Sequence, residues 1–403
     1  MAVETLRRGP EGCDENRSQI VDGKARPVRE GGLEMGEVPK TCKAALLEEY
    51  GKPLQIREVA IPEVEPMGIL VKVEMAGICG TDVHSQRGEL TIKGILPSIP
   101  GHETLGRVVK LGAGRAIDVA GEPLTIGDRI MWAHVDCGEC YGCEVARDSV
   151  QCSRRWFYGY HPPSALGGGF AEYEYVTPRT KVVKVPDELT EEEAIGVGCA
   201  FRTVVGAYER FSGIRFQENV VIQGAGPVGL YAAVVASEAG AGRVIVVGAP
   251  ETRLELALKW GAHHVINIDK ARDPGARRDE VLALTGGRGP EVVVECTGVP
   301  AAFSEGVDML QRGGRYLVMG QTSAVAIPFV PGLVTGKGVT IVGASGASIP
   351  HYYKALQFLK NRRTKYPFGD IVTHKFRLEE INNAYAVMAS GEAIKPVIDN
   401  RGR

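Results

Sequence analysis

The chain has 403 residues, which is enough for two or three domains. Hydrophobic content of 44% with 24% charged residues fits an ordinary globular protein, and a net charge of −2 supplies no basic field for nucleic acid. No apolar run is long enough to span a membrane, and the opening MAVETLRRGPEG lacks the apolar core of a signal peptide, so a cytoplasmic protein without a membrane partner is expected.

Residues 1–40 are polar, rich in Gly, Glu and Arg, and read as a flexible extension. From Thr41, short strand-like runs alternate with turn signals: Ile69–Met75, Gly106–Lys110, Arg129–Trp132 and Glu172–Val176. This spacing predicts an all-β, barrel-like unit reaching about Pro186. Leu189–Ala194 then starts a helix with acidic residues in its first turn.

From Asn219 the pattern changes to alternating strand and helix. Strands are predicted at Val220–Gln223, Val244–Val247, His264–Ile268, Glu291–Glu295, Arg315–Met319 and Thr340–Val342. Helical patterns include Thr252–Trp260 and Ala301–Gln311. Six strands with crossover helices predict an α/β unit with a doubly wound parallel sheet. Two further helices, near Tyr352–Lys360 and Leu378–Ala389, and a strand Lys395–Ile398 end the chain.

The stretch Val220-Val-Ile-Gln-Gly-Ala-Gly-Pro-Val-Gly-Leu230 places G-x-G-x-x-G between a strand and a helix. Gly224 allows the tight turn, Gly226 admits a pyrophosphate, and Gly229 permits close helix–strand packing. Pro227 and Val228 open the helix, whose N-terminus favours an anion. These five residues are the candidate dinucleotide site.

Four cysteines form Cys137-x2-Cys140-x2-Cys143-x8-Cys152. Four thiolates complete a tetrahedral zinc with no place for water, which describes a structural site. Cys79, His102 and Cys199 sit in GICGTDVH, PGHE and GCAFRT. As two thiolates and an imidazole they would leave a fourth position open, as catalytic zinc requires. Spacing alone does not join them, and each has an ordinary core role open to it.

GICGTDVH, PGHE, the four-cysteine lobe, GCAFRT, GAGPVG and ECTG occur here in one order. In this order the sequence resembles the zinc-dependent medium-chain alcohol dehydrogenases over about residues 41–399. The resemblance implies a GroES-like catalytic domain (41–195) with a lobe near 136–153, a Rossmann domain (196–343), and a segment (344–403) returning to the first. It implies Cys79, His102 and Cys199 as ligands of a catalytic zinc, with Glu103 just behind the metal. Asp82 would fix the tautomer of His102. Thr81 would meet the alcohol oxygen, and His84 would carry its proton to solvent. Thr203 would border the nicotinamide, and Lys395 would lie near the pyrophosphate. Ala133 falls where the family often carries an aromatic residue, which implies room for a bulky or secondary alcohol. Trp156, Phe157, Tyr158 and Tyr160 either line that pocket or pack the lobe. A homodimer or homotetramer acting on a small alcohol or carbonyl is expected.

The acid that would bind the adenosine ribose is missing: Gly248 stands at the end of the second strand. Glu251 could reach the ribose hydroxyls, and Arg253 could bind a 2′-phosphate, so NAD and NADP both remain open. Rival readings are a zinc-free enone or quinone reductase and a non-catalytic nucleotide-binding relative.

Overall fold

The structure is a computed structural model that describes residues 38–90, 94–320 and 325–402. All but the last three residues of the expected N-terminal extension lie outside that range. Among the described residues no helix is long and apolar enough to cross a membrane.

Six parallel strands form one sheet in the order His264–Asn267, Arg243–Gly248, Asn219–Gln223, Val292–Glu295, Arg315–Val318, Thr340–Gly343. The central strands are Val- and Ile-rich because helices cover both faces; Val220, Val221, Ile222, Val292, Val293 and Val294 are fully buried. Strand order reverses between Asn219–Gln223 and Val292–Glu295. At such a switch point a crevice opens beyond the carboxyl ends of the strands. The GAGPVG turn lies there.

Seven strands form the second sheet: Val372–Phe376, Lys395–Asp399, Ile69–Gly77, Glu103–Leu111, Arg129–Trp132 and Val182–Lys184, with Tyr173–Val176 also pairing with Ile69–Gly77. The last strand of the chain runs antiparallel to Ile69–Gly77, with Val397 opposite Gly77 and Ile398 opposite Ala76. Its neighbour Val372–Phe376 had no counterpart in the sequence reading. That strand alternates half-buried with exposed residues, so its apolar signal is weak.

One apolar core runs through both units. Met75 and Leu105 of the second sheet belong to the same cluster as Leu230, Tyr231 and Val246 of the parallel sheet's layer. Helix Ala200–Arg210 carries the join, its Phe201 ring stacked on Tyr231 at 4.4 Å and 7°. The two sheets are thereby held at a set distance, and the functional residues lie along the seam.

Candidate active site

Cys79 caps the helix Gly80–Gln86, and its backbone N–H donates to Asp82 Oδ2 at 2.9 Å. The other Asp82 oxygen lies 3.2 Å from His102 Nδ1. That contact orients the ring so that Nε2 sits 3.4 Å from Cys79 Sγ. Cys199 stands at the break between the turn Ile195–Gly198 and helix Ala200–Arg210. Donor atoms of Cys79, His102, Glu103 and Cys199 all lie within 4.8 Å of one another.

The charges fit a cation. A hydrogen bond with Cys199 pulls the Cys79 thiol well below its usual range, against burial, and pushes Cys199 well above. Burial works against a charged His102, but Asp82 and Cys79 raise it well above the usual histidine range. One thiolate, one thiol and an imidazole fixed by a carboxylate form a soft donor set that would release protons on binding zinc.

Glu103 is 0% exposed and Lys395 1%, and Lys395 Nζ donates to both carboxylate oxygens at 2.8 and 2.7 Å. Burial lowers the ammonium's pKa, yet Glu103 outweighs it and Lys395 is pushed up to about 12. The expectation of Lys395 at the pyrophosphate is therefore corrected. A fully buried ammonium committed to Glu103, and reaching the Ile78 carbonyl at 3.4 Å, does not face a nucleotide.

Thr81 follows Cys79 on the same short helix and is partly buried. His84, one turn later, is half exposed, and its Nδ1 lies 2.6 Å from Glu89 Oε2. The carboxylate past the helix end was not read from the sequence; the only local signal was its place five residues after His84.

In the lobe, the four cysteine sulfurs also lie within 4.8 Å of one another. Cys140 and Cys143 sulfurs are 3.6 Å apart, and the Cys137 N–H donates to Cys152 Sγ at 3.3 Å. Backbone N–H groups of Cys143 and Ser153 pull Cys140 down to about 5, while burial pushes Cys143 up to about 12. Four convergent sulfurs with N–H donors behind them suit a closed tetrahedral metal.

At the nucleotide end, Gly224 has φ of +111°, a region that glycine alone enters cheaply. A Cβ on Gly229 would collide with the Gly224 carbonyl, whereas one on Gly226 would meet nothing within 4 Å. Open space before Gly226, at the start of helix Pro227–Glu238, is the cradle a pyrophosphate needs. Gly248 also has a steric reason: its Cβ would sit 2.8 Å from the Ala225 nitrogen. Glu251 accepts from Asn267 Nδ2 and Lys270 Nζ, both at 2.7 Å, and stays at this end. Arg253 does not. Its Nη2 donates to Gly391 O and Ala393 O at 2.6 and 2.7 Å, so the reading of Arg253 as a phosphate ligand is corrected. Thr203 lies on helix Ala200–Arg210, in the seam.

A cleft of about 1070 Å³ separates the lobe from the carboxyl ends of the parallel strands, with Ala133, His134, Arg155, Val318, Gly343 and Ala344 on its walls. Of the four aromatic residues, Tyr158 is buried and meets Trp132 and Trp156, and Trp156 stacks on His161 at 4.0 Å. Phe157 and Tyr158 both face His134, at 5.0 and 6.5 Å.

Residues 65–187 match the alcohol dehydrogenase GroES-like domain, and residues 227–361 match the zinc-binding dehydrogenase family. The chain is 34% identical to a 5-exo-hydroxycamphor dehydrogenase of Pseudomonas putida, across 89% of this chain and 99% of that one. The chain belongs to the zinc-type medium-chain dehydrogenase/reductase family. A solved alcohol dehydrogenase of Thermotoga maritima superposes with a TM-score of 0.83 at 33% identity, covering 89% of this chain and 99% of that one. A zinc-binding dehydrogenase of Sinorhizobium meliloti, solved with NADP, superposes with a TM-score of 0.78 at 26% identity, covering 90% and 100%. The family member described here is an oxidoreductase with a GroES-like unit and a Rossmann-like parallel sheet.

Proposed function

We propose that the protein is a zinc-dependent dehydrogenase that interconverts an alcohol and its aldehyde or ketone with NAD or NADP. The observation that carries this reading is the Glu103–Lys395 pair. With both oxygens of Glu103 held by Lys395, three donors remain in the buried cluster: Cys79, His102 and Cys199. Three protein ligands with an open fourth position are the pattern of catalytic zinc. Zinc held there would supply Lewis acidity to the substrate oxygen, and the nicotinamide coenzyme would supply or accept hydride.

The chain's own residues do the rest. Asp82 holds His102 by Nδ1, so that Nε2 is presented. The hydroxyl of Thr81 accepts the substrate's proton as it releases its own toward His84, which Glu89 holds by Nδ1 at the helix end and which delivers the proton to solvent. Gly226 and the free N–H groups of the helix start hold the pyrophosphate. The lobe cysteines hold a second, structural zinc.

A panel of alcohols and carbonyls, assayed with NAD(H) and NADP(H) on protein analysed for zinc, tests the reading. Two zinc ions per chain are expected, one yielding to mild chelation together with activity. Cys199→Ser should lose turnover yet keep nicotinamide binding. Full turnover in protein without zinc, or reduction of enones but of no simple carbonyl, would overturn it.

A further inference from the structure

The motif Glu295-Cys-Thr-Gly298 closes strand Val292–Glu295 at the switch point, and no part of it has a role in the mechanism above. Glu295 is 0% exposed, and both its oxygens are engaged. Oε1 accepts from the Thr297 N–H at 2.7 Å, the Thr297 hydroxyl at 2.6 Å and the Gly298 N–H at 2.9 Å; Oε2 accepts from the Gly320 N–H at 3.0 Å. The carboxylate thus clamps the turn after Val292–Glu295 to the turn after Arg315–Val318. These turns approach so closely that a Cβ on Gly320 would lie 2.5 Å from the Gly298 nitrogen. Every partner is a donor, which the ionised, acceptor-only form of the side chain matches. Among the described residues no lysine, arginine or histidine pairs with it. Fully buried carboxylates are usually answered by a cation, and this one is answered by dipoles alone.

The clamp sits between the two ends of the candidate site. Toward the pyrophosphate end, a Cβ on Gly224 would meet Thr297 Cγ2 at 3.1 Å and the Cys296 carbonyl carbon at 3.2 Å. Toward the metal cluster, Cys296 and Met319 belong to the same apolar cluster as Val197 and Ala200, which stand on either side of Cys199. The Met319 N–H donates to the Glu295 carbonyl at 3.0 Å, and Val318 and Met319 line the cleft. A dinucleotide lies across the switch point with its pyrophosphate at the glycine turn, its adenosine half over the strands on one side and its nicotinamide half over those on the other. The nicotinamide half must therefore pass the Glu295 clamp to bring its ring to Cys79, His102 and Cys199. The charge is felt on this side: burial first, and then Glu295, push the Cys296 thiol well above its usual range.

We infer that Glu295 positions the nicotinamide half of the coenzyme by clamping these two turns, and that its charge, which no cation answers, favours the oxidised ring over the reduced one. The inference rests on the dehydrogenase reading above. The oxidised ring is a cation and the reduced ring is neutral, so only the former gains from a fixed negative charge behind the turn. A buried charge is screened far less than one in water and acts over several ångströms. Reduced coenzyme is correspondingly released more readily than it would be over a neutral turn. Glu295 is a positioning residue: buried behind its own turn, it acts through the backbone it holds and through its field.

The test uses the zinc-loaded full chain and reads binding, not turnover. The oxidised and reduced forms of whichever pair binds more tightly, NAD or NADP, are titrated by calorimetry beside ADP-ribose, which lacks the ring. Glu295→Gln keeps the shape and removes the charge. It should weaken the oxidised coenzyme at least about threefold more than the reduced one, as a partly screened charge several ångströms away implies. ADP-ribose should change no more than the reduced coenzyme does. Glu295→Asp keeps the charge and shortens the clamp, so the melting temperature should fall while the oxidised-to-reduced ratio stays near wild type. Thr297→Lys puts a cation at an exposed position of the same turn. It should move the ratio in the same direction as Glu295→Gln, and it decides the matter if that variant does not fold. An equal factor on oxidised coenzyme, reduced coenzyme and ADP-ribose would make Glu295 a structural brace only and overturn the proposal. So would a Glu295→Asp ratio that follows Glu295→Gln. Failure of the wild type to bind either coenzyme, with zinc present, would instead remove the dehydrogenase reading on which it stands.

Discussion

At the scale of single residues, the buried pair Glu103–Lys395 matters most beyond the proposed zinc ligands. Breaking a buried ion pair from one side leaves an uncompensated charge, at a cost of about 3–5 kcal/mol. Lys395→Met should lower stability in chemical denaturation by that order, and Glu103→Leu in the same chain should restore most of it. A second residue, Glu174, has both carboxylate oxygens buried without hydrogen bonds, close to His102, Thr104, His134 and Tyr352. Burial pushes its carboxyl up from 4.5 to about 8, against pulls from Thr104 and His102. The sign follows from linkage: the folded state holds this proton where the unfolded state has released it. Its contribution is present below pH 4.5 and is lost as pH rises toward about 8. Glu174→Gln should therefore gain on the wild type in thermal stability across that window, with the gap widening as pH rises. A constant gap would show that Glu174 is not the titrating group.

At the scale of elements, two glycines of one turn should behave differently. Gly229→Ala drives a methyl into the Gly224 carbonyl, so helix Pro227–Glu238 must lift from strand Asn219–Gln223. Both stability and coenzyme binding should fall. Gly226→Ala meets no protein atom within 4 Å and has an ordinary φ of −78°, so the fold should stay within about 0.5 kcal/mol of wild type. Coenzyme affinity should still drop, because the methyl occupies the space before the helix start. Melting curves with and without nucleotide distinguish the two. The lobe is an element of another kind, a loop with little regular structure between Cys137 and Cys152. Cys140→Ser should lower soluble yield, since structural zinc contributes folding energy directly.

At the scale of the whole molecule, the parallel sheet ends, among the described residues, in an edge strand. Among the described residues Thr340–Gly343 pairs only with Arg315–Val318, and Ile341 is 37% exposed. Exposed strand edges are usually covered or paired. A homodimer or homotetramer formed through this edge is expected, with light scattering at micromolar concentration as the measure. Ile341→Lys should shift the mass toward the monomer.

Much of this architecture was legible in the chain. Buried parallel strands read as runs of Val and Ile, and each predicted strand of the Rossmann-like sheet has its counterpart within a residue or so. The cysteine spacing and the glycine turn are local features, so their geometry follows from sequence distance alone. Partners brought together across the fold were not legible. Lys395 meets Glu103 across 292 positions, through the register that sets the last strand against Ile69–Gly77. Arg253 meets Gly391 across 138 positions, where a helix of the parallel-sheet unit touches the returning segment. Glu172-Tyr-Glu174-Tyr alternates as though its acids faced water, yet the seam with His134 and Tyr352 covers Glu174. Local pattern specifies which side of an element is apolar and which residues share a turn. Which charge answers which is decided only when two sheets close on one core, because a buried ion finds its partner in space and not along the chain.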